Sequence, residues 1–189
     1  TTLNRIFFIN STTGWIVSCK GEILKTTDAG NSWFLQTSNI TKELNNLYFL
    51  NENLGWAVGL EGILLKTTDG GESWVKQDSI TNNNLYSVFF YNENIGWLAG
   101  NRCFVLKTTD GGESWFEQTT LDNWNNLKYI KFIDENTGWA VGGVILKTTD
   151  GGKEWLEQTS GMSFFWGAYG FDMYDINNGI IVGSSGDIR

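Results

Sequence analysis

A nine-residue stretch, Lys66 to Trp74 with the sequence KTTDGGESW, returns four times in this chain and constrains its architecture. The shared pattern is Thr-x-Asp-x-Gly-x-x-Trp, and its aspartates lie at steps of 41, 41 and 40 residues: Asp28, Asp69, Asp110 and Asp150. A second marker has the same period: Gly14-Trp15, Gly55-Trp56, Gly96-Trp97, Gly138-Trp139 and a weaker Gly179-Ile180. A constant period near 40 residues indicates a repeat architecture.

Each repeat is predicted to form four short antiparallel strands. The first carries aromatic and branched residues on both faces, as in Leu47, Tyr48 and Phe49, which predicts an inner strand buried on both sides. The second strand begins at the Gly-Trp pair, and an apolar run forms the third. The fourth begins at the Trp of the motif, and its apolar and polar residues alternate, as in a half-exposed outer strand. Four strands in about 40 residues is the blade unit of a β-propeller.

The sequence therefore predicts an all-β fold in one partial β-propeller domain over residues 1–189. Four blades are expected near 3–40, 44–81, 85–122 and 127–160, with a partial fifth over 168–189. The outer faces of the first and fifth blades would expose Phe, Ile and Val, and soluble monomers seldom expose apolar patches of that kind. We expect a longer parent chain, and further blades or another chain covering these ends.

The repeated motif is predicted to be a structural turn. Its Asp carboxylate can accept N–H groups from the residues that follow, its second Gly can adopt a positive φ, and its Trp can pack against the turn. A catalytic residue is needed once in a protein, whereas a turn is needed in every blade. Twelve residues are assigned this role: Asp28, Gly30, Trp33, Asp69, Gly71, Trp74, Asp110, Gly112, Trp115, Asp150, Gly152 and Trp155.

The motif resembles the Asp-box, or bacterial neuraminidase repeat. The wider unit, Gly-Trp-Ala-Val-Gly followed by Gly-x-Ile-Leu-Lys-Thr-Thr-Asp-Gly-Gly-x-x-Trp, resembles propellers of the photosystem II assembly and stability factor family and related propellers of secreted bacterial proteins. The resemblance implies that the Asp-box lies on the propeller rim, away from the ligand face. It also implies an extracytoplasmic location and a role in binding or scaffolding.

Composition excludes several functions. The formal net charge of −8 argues against nucleic acid and against anionic membranes as partners. No run reaches the ~18 apolar residues that a membrane-spanning helix needs. Histidine is absent, which removes His-based nucleophile schemes and most zinc sites, so no cofactor or metal is predicted. Cys19 and Cys103 differ in repeat register, and we expect two unbridged thiols.

Candidate binding residues lie where the repeats differ. Antiparallel strands place the Asp-box turns on one face, and the turns between second and third strands on the other face with the links between blades. We call this second surface the variable face. Its aromatic residues could stack on sugars or anchor a protein partner, or they could fill an irregular blade junction. The candidates are Lys20, Glu61, Arg102, Trp124, Phe164, Phe165, Trp166 and Tyr169.

Two functions remain open. One is a non-enzymatic propeller that binds a protein or a surface glycan. The alternative is an Asp-box glycoside hydrolase, either sialidase-like or endoglucanase-like. The chain has three arginines, at unlike repeat positions, whereas a sialidase-type site would need a triad of them. Asp172 replaces a core aromatic residue but has no evident acidic partner, and Lys131 at the same position one blade earlier is predicted to pair with it.

Overall fold

The repeats fold into separate four-stranded antiparallel sheets, one for each blade. The computed structural model describes residues 1–78, 80–118, 124–159 and 168–183 of the chain. The chain forms two compact units, Thr1–Val88 and Phe89–Arg189, and the division falls inside one strand. The all-β class and the blade architecture predicted from the sequence are confirmed.

The first unit contains two complete blades. Within each sheet the strands follow chain order from one edge to the other. The first blade consists of β1 Leu3–Phe8, β2 Gly14–Ser18, β3 Ile23–Thr26 and β4 Phe34–Gln36. The second consists of β5 Leu44–Phe49, β6 Gly55–Gly59, β7 Leu64–Thr67 and β8 Val75–Lys76, with the 3₁₀ turn Leu60–Gly62 between β6 and β7.

The division falls inside the first strand of the third sheet, and a fourth sheet and a strand pair lie in the second unit. The third contains β9 Leu85–Phe90, β10 Gly96–Gly100, β11 Val105–Thr108 and β12 Phe116–Glu117. The fourth contains β13 Leu127–Phe132, β14 Gly138–Gly142, β15 Ile145–Thr148 and β16 Leu156–Glu157. The fifth blade is the pair β17 Ala168–Met173 and β18 Gly179–Gly183.

The second strand of each complete blade is the most enclosed one. All five residues of β6 are buried, whereas β5 alternates between buried and half-buried positions, with Tyr48 half-buried. No residue of β5, β9 or β13 is exposed, so in these blades the first strand is covered on both faces as predicted, although partly at some positions. β1 departs from the prediction, because four of its six residues are exposed. The second strand has a hydrogen-bonded neighbour on each side and packing on both faces, while the first strand is the edge of its sheet.

Blades pack on each other through a repeated aromatic contact, which we call the interblade stack. In the first unit the ring of Trp15, from the first blade, lies 3.6 Å from the ring of Phe49, from the second, with 10° between their planes. Trp74 meets the same Phe49 edge-on at 5.8 Å. In the second unit Trp97, Phe132 and Trp155 reproduce these contacts at 3.6 and 5.8 Å.

The interblade stack explains the Gly-Trp pair. A Cβ atom on Gly55 would lie 2.6 Å from ring atoms of Phe49, so glycine is required where the ring crosses the second strand. The indole of Trp15 also donates from Nε1 to the carbonyl of Gly70, in the Asp-box turn of the next blade, at 3.0 Å. The ammonium group of Lys25 lies over the same Trp15 ring, at 5.6 Å from its centroid.

We expect Phe49→Ala to lower the free energy of unfolding by about 3–5 kcal/mol, because it removes a fully buried ring and leaves a cavity between two blades. Gly55→Ala should also destabilise, because the new methyl group would overlap that ring. Urea unfolding followed by circular dichroism measures both. Phe34→Ala, at a ring that is 62% exposed, is the control and should change stability by no more than about 0.5 kcal/mol.

Candidate functional site

The Asp-box carboxylates are fully engaged by their own turns. In the second blade Asp69 Oδ1 accepts the hydroxyl of Thr67 at 2.7 Å and the backbone N–H of Ser73 at 3.0 Å, while Oδ2 accepts the Ser73 hydroxyl at 2.5 Å. The Thr67 hydroxyl in turn accepts the N–H of Gly71 at 2.8 Å. A carboxylate with these partners fixes a loop and is poorly placed to act as a nucleophile or a proton donor.

The other three turns repeat this arrangement. The same three interactions with the aspartate occur at Asp28 and Asp110. At Asp150 the hydroxyl donor is missing, because Glu154 stands where the other copies have Ser, but the bonds from Thr148 and from the Glu154 N–H remain. The second glycine of each motif has a positive φ, between 86° and 95°.

These hydrogen bonds stabilise the ionised aspartates. The Ser hydroxyl, the Ser N–H and the Thr hydroxyl lower the pKa of Asp28 and of Asp69 to about 2. The same donors lower the pKa of Asp110. For Asp150 desolvation raises the pKa, but the bonds from the Glu154 N–H and the Thr148 hydroxyl outweigh it and the net shift is downward. A general acid near neutral pH requires the opposite shift.

The hydrogen bonds of the turns define the two faces. Each Asp-box turn bonds to the loop between the first two strands of its own blade, for example from the N–H of Gly70 to the carbonyl of Asn53 at 2.8 Å. The turns between second and third strands bond instead to the chain just before a first strand, as from Leu60 N–H to the carbonyl of Glu43 at 3.0 Å. These bonds join the turns to the links, and together they form the variable face.

Arg102 and Trp124 form a stacked pair on the variable face of the second unit. The guanidinium carbon of Arg102 lies 4.3 Å from the centre of the Trp124 ring, and the indole is 80% exposed. The turn that carries Arg102 is tied to the link that carries Trp124, because the N–H of Cys103 donates to the carbonyl of Asn125 at 2.7 Å. The pair offers an aromatic surface and a cation at one point.

The backbone of this turn is strained. Arg102 and Cys103 have φ values of 56° and 55°, in the left-handed region that glycine favours. In the second blade the corresponding residues are Glu61, with φ of 54°, and Gly62, with φ of 69°. Non-glycine residues in this region cluster at sites of function, which makes the Arg102 turn the stronger candidate for binding.

Among the remaining candidate binding residues, one forms an ion pair, one is exposed, and the others have side chains that the structure does not describe. Glu61 is ion-paired with Lys42, and its N–H donates to the side chain of Asn84 at 3.0 Å. Lys20 is exposed at the equivalent turn of the first blade. Phe164, Phe165 and Trp166 lie outside the described residues, and Tyr169 lies on β17 with no description of its side chain.

The sequence analysis predicted neither the Lys42–Glu61 ion pair nor the Arg102–Trp124 stack. It assigned Glu61, Arg102 and Trp124 to the variable face but did not predict which side chains would touch. The partners are 19 and 22 positions apart along the chain, and only the fold brings turn and link together. The sequence feature that could have indicated these contacts is the repeat, because a turn and a link recur at fixed positions in each blade.

The predicted Lys131–Asp172 pair is present. The Lys131 ammonium group contacts the Asp172 carboxylate and donates to the carbonyl of Met173 at 3.1 Å. Both line an open groove of about 630 Å³, together with Met173, Tyr174, Asn177, Asn178, Gly179 and Ile180. Asp172 is the one carboxylate among these lining residues. Glycoside hydrolysis uses a pair of carboxyl groups about 5–9.5 Å apart, which this groove does not supply.

The described ranges contain no cluster of three His, Cys, Asp or Glu side chains that could hold a metal ion. No disulfide joins the two cysteines, both of which are described. Within the same ranges no helix has the length and hydrophobicity that crossing a membrane requires.

Fold and repeat define the chain as a β-propeller protein built of Asp-box blades. A family model of the photosynthesis system II assembly factor YCF48 matches residues 1–79 and 76–162. The chain belongs to this family, and the resemblance stated from its motifs is confirmed. No curated protein sequence matches the chain.

Solved propellers share the fold at low identity. A structure of YCF48 bound to D1 peptide aligns with 99% of this chain and 92% of its own, with 18% identity and a TM-score of 0.57. YCF48 from Cyanidioschyzon merolae aligns with 93% of this chain and 62% of its own, with 16% identity and a TM-score of 0.72. An ancestral GH74 enzyme aligns with 98% of this chain but 28% of its own, with 17% identity and a TM-score of 0.81.

We expect the contribution of Asp69 to stability to disappear in acid. Its folded pKa is lowered to about 2 from 3.8, so its stabilising effect is complete above the unfolded value and is lost as the pH falls through the folded one. Asp69→Asn should therefore be less stable than the wild type at neutral pH, with the difference shrinking between about pH 4 and about pH 2. Thermal unfolding at each pH measures this difference.

The matched control is Glu72→Gln, which changes an exposed carboxylate in the same turn. We expect it to have little effect at either pH. A difference between Asp69→Asn and the wild type that stayed constant down to pH 2 would contradict the role of the ionised aspartate.

Proposed function

We propose that this chain is a non-enzymatic propeller that binds a protein partner through its variable face. The observation that carries the proposal is the exposed Arg102–Trp124 stack. Trp and Arg are the residues most enriched among those that dominate binding energy at protein interfaces. An indole that is already held by a neighbouring side chain loses little conformational freedom when a partner covers it.

The chemistry of the pair indicates what it would bind. Stacking uses the face of the guanidinium group, whereas its N–H donors lie along the edge, in a geometry that suits carbonyl or carboxylate oxygens. The exposed face of Trp124 would cover an apolar or aromatic side chain of the partner. An extended peptide segment offers both kinds of group next to each other.

The comparisons support a peptide or protein as the partner. The chain belongs to the YCF48 family, and a YCF48 structure that it covers almost completely is bound to D1 peptide. The identity to that structure is 18%, so the partner of this chain need not be the same peptide. An extracytoplasmic location is part of the proposal and is supported by the family resemblance alone.

Trp124→Ala should weaken peptide binding by about 2 kcal/mol or more, roughly a 30-fold increase in Kd, and leave the thermal unfolding temperature unchanged. The probes are the D1 peptide and peptides selected from a random phage-displayed library on the wild-type chain. Fluorescence anisotropy of labelled peptides gives the Kd. Arg102→Lys, which keeps the charge but loses the planar stack, should also weaken binding.

Phe116→Ala is the control, because its ring is 60% exposed on the outer strand of the same blade but away from the variable face. It should leave the Kd unchanged. Peptides that bound Trp124→Ala and the wild type equally well would show that the partner uses another surface.

A glycoside hydrolase is the second candidate, favoured by the likeness to GH74 propellers and by the groove beside Asp172. It predicts turnover of xyloglucan or a sialoside that is lost in Asp172→Asn. We expect no turnover by the wild type, because Asp172 is paired with Lys131 and has no second carboxylate in the groove. Reducing-sugar release measures it, and activity lost in Asp172→Asn would overturn the binding proposal.

A further inference from the structure

The turn between the second and third strands of the fourth blade is two residues shorter than its equivalents in the other complete blades. In the fourth blade Val141 pairs with Ile145 across a turn of three residues, 142–144. In each of the first three blades five residues form this turn, as between the paired Val58 and Leu64 of the second. We call residues 142–144, with the sequence Gly-Gly-Val, the short turn. Its first two residues contribute no side chains to the variable face.

In the second blade the longer turn reaches the link that precedes its own blade. Glu61, in the middle of this turn, forms an ion pair with Lys42, two residues before β5 begins at Leu44. The N–H of Leu60 also donates to the carbonyl of Glu43, at 3.0 Å. A turn of five residues thus engages a side chain of the link as well as its backbone.

In the fourth blade the short turn keeps the backbone contact and lacks the charged side chain. The N–H of Gly143 donates to the carbonyl of Asn126 at 3.0 Å, which corresponds to the bond from Leu60 in the second blade. Trp124, three residues before β13, stacks instead on Arg102 from the turn of the preceding blade. Its indole is 80% exposed, so the short turn leaves most of the ring uncovered.

The short turn lies directly against the link that carries Trp124. A Cβ atom on Gly143 would lie 2.3 Å from Oδ1 of Asn125. One on Gly142 would lie 1.8 Å from the carbonyl oxygen of Asn126. These two asparagines follow Trp124 directly in the chain. Side chains added to the short turn would therefore meet the link within two residues of Trp124.

Given the proposed function, on which this step rests, we infer that the short turn determines which segment of a partner the Arg102–Trp124 pair binds. It leaves space beside Trp124 for a side chain of the partner. The segment that fits is a peptide that crosses the end of the fourth blade and presents a large apolar or aromatic side chain to the indole. In a turn of five residues, a charged side chain such as that of Glu61 would stand in this path and would have to lose its water.

A turn exchange between blades tests the inference. In the exchanged chain the short turn is replaced by residues 59–63 of the second blade, with the sequence Gly-Leu-Glu-Gly-Ile. This chain should fold, because the strands before the two turns, β6 and β14, have the same sequence, Gly-Trp-Ala-Val-Gly. Circular dichroism checks the fold. The Kd for peptides that bind the wild type should rise at least about tenfold by fluorescence anisotropy, because the added leucine and glutamate occupy the space beside Trp124.

Gly143→Leu is a second variant in case the exchanged chain does not fold. Residue 143 corresponds to Leu60 of the second blade, and its backbone does not have a positive φ, so leucine is allowed there. Gly143→Leu should also raise the Kd. The matched control is the reverse exchange, in which residues 142–144 replace residues 59–63 of the second blade. It changes a turn of the same kind away from Trp124 and should leave the Kd unchanged.

Trp124→Ala separates a failure of this inference from a failure of the proposed function. Equal binding by Trp124→Ala and the wild type would refute both. Weaker binding by Trp124→Ala, together with an exchanged chain that binds like the wild type, would refute this inference alone. In the Trp124→Ala background the exchange should have no further effect on the Kd. An undiminished effect there, or an equal effect of the reverse exchange, would show that the turn does not act through Trp124 and would overturn the inference.

Discussion

The stacking of a tryptophan from one blade on a phenylalanine of the next is the contact on which the architecture depends. Trp15 on Phe49 and Trp97 on Phe132 have the same 3.6 Å separation between ring centroids and the same 10° angle between ring planes. Each stack requires a glycine beneath the phenylalanine, and in each case the indole donates to the Asp-box turn of the next blade. The two repeated motifs of the sequence are therefore parts of one interface.

The Asp-box has two tasks in this arrangement. Its aspartate and threonine hold the turn rigid, and the turn then presents the carbonyl of Gly70 or Gly151 to an indole N–H from the neighbouring blade. The lysine that opens the motif lies over the indole of its own blade, and burial there lowers the pKa of Lys107. The carboxylates and hydroxyls of the Asp-box turns are thus used in folding and packing.

The blades could be predicted from the sequence, but the side-chain contacts between blades could not. Strand order, turns and faces followed from the period, because four copies in register make a chance pattern implausible. The stack of Trp15 on Phe49 could not be predicted, because a repeat shows which positions are equivalent and does not show which ones touch across blades. For the same reason Lys20, Glu61, Arg102 and Trp124 could be assigned to one face, while only the structure brought Arg102 onto Trp124. The pairing of Lys131 with Asp172 was predictable, since two opposite charges replace aromatic residues at one repeat position.

The same glycine, phenylalanine and tryptophan geometry joins two blades in each unit, so one interface design is used twice with different neighbouring sequences. A repeated interface of this kind places the same demands on every blade that carries the motif. Outside these interface positions the sequence is free to vary, as it does in the turn and link that carry Arg102 and Trp124. Such a chain can change its partner without changing the contacts between its blades.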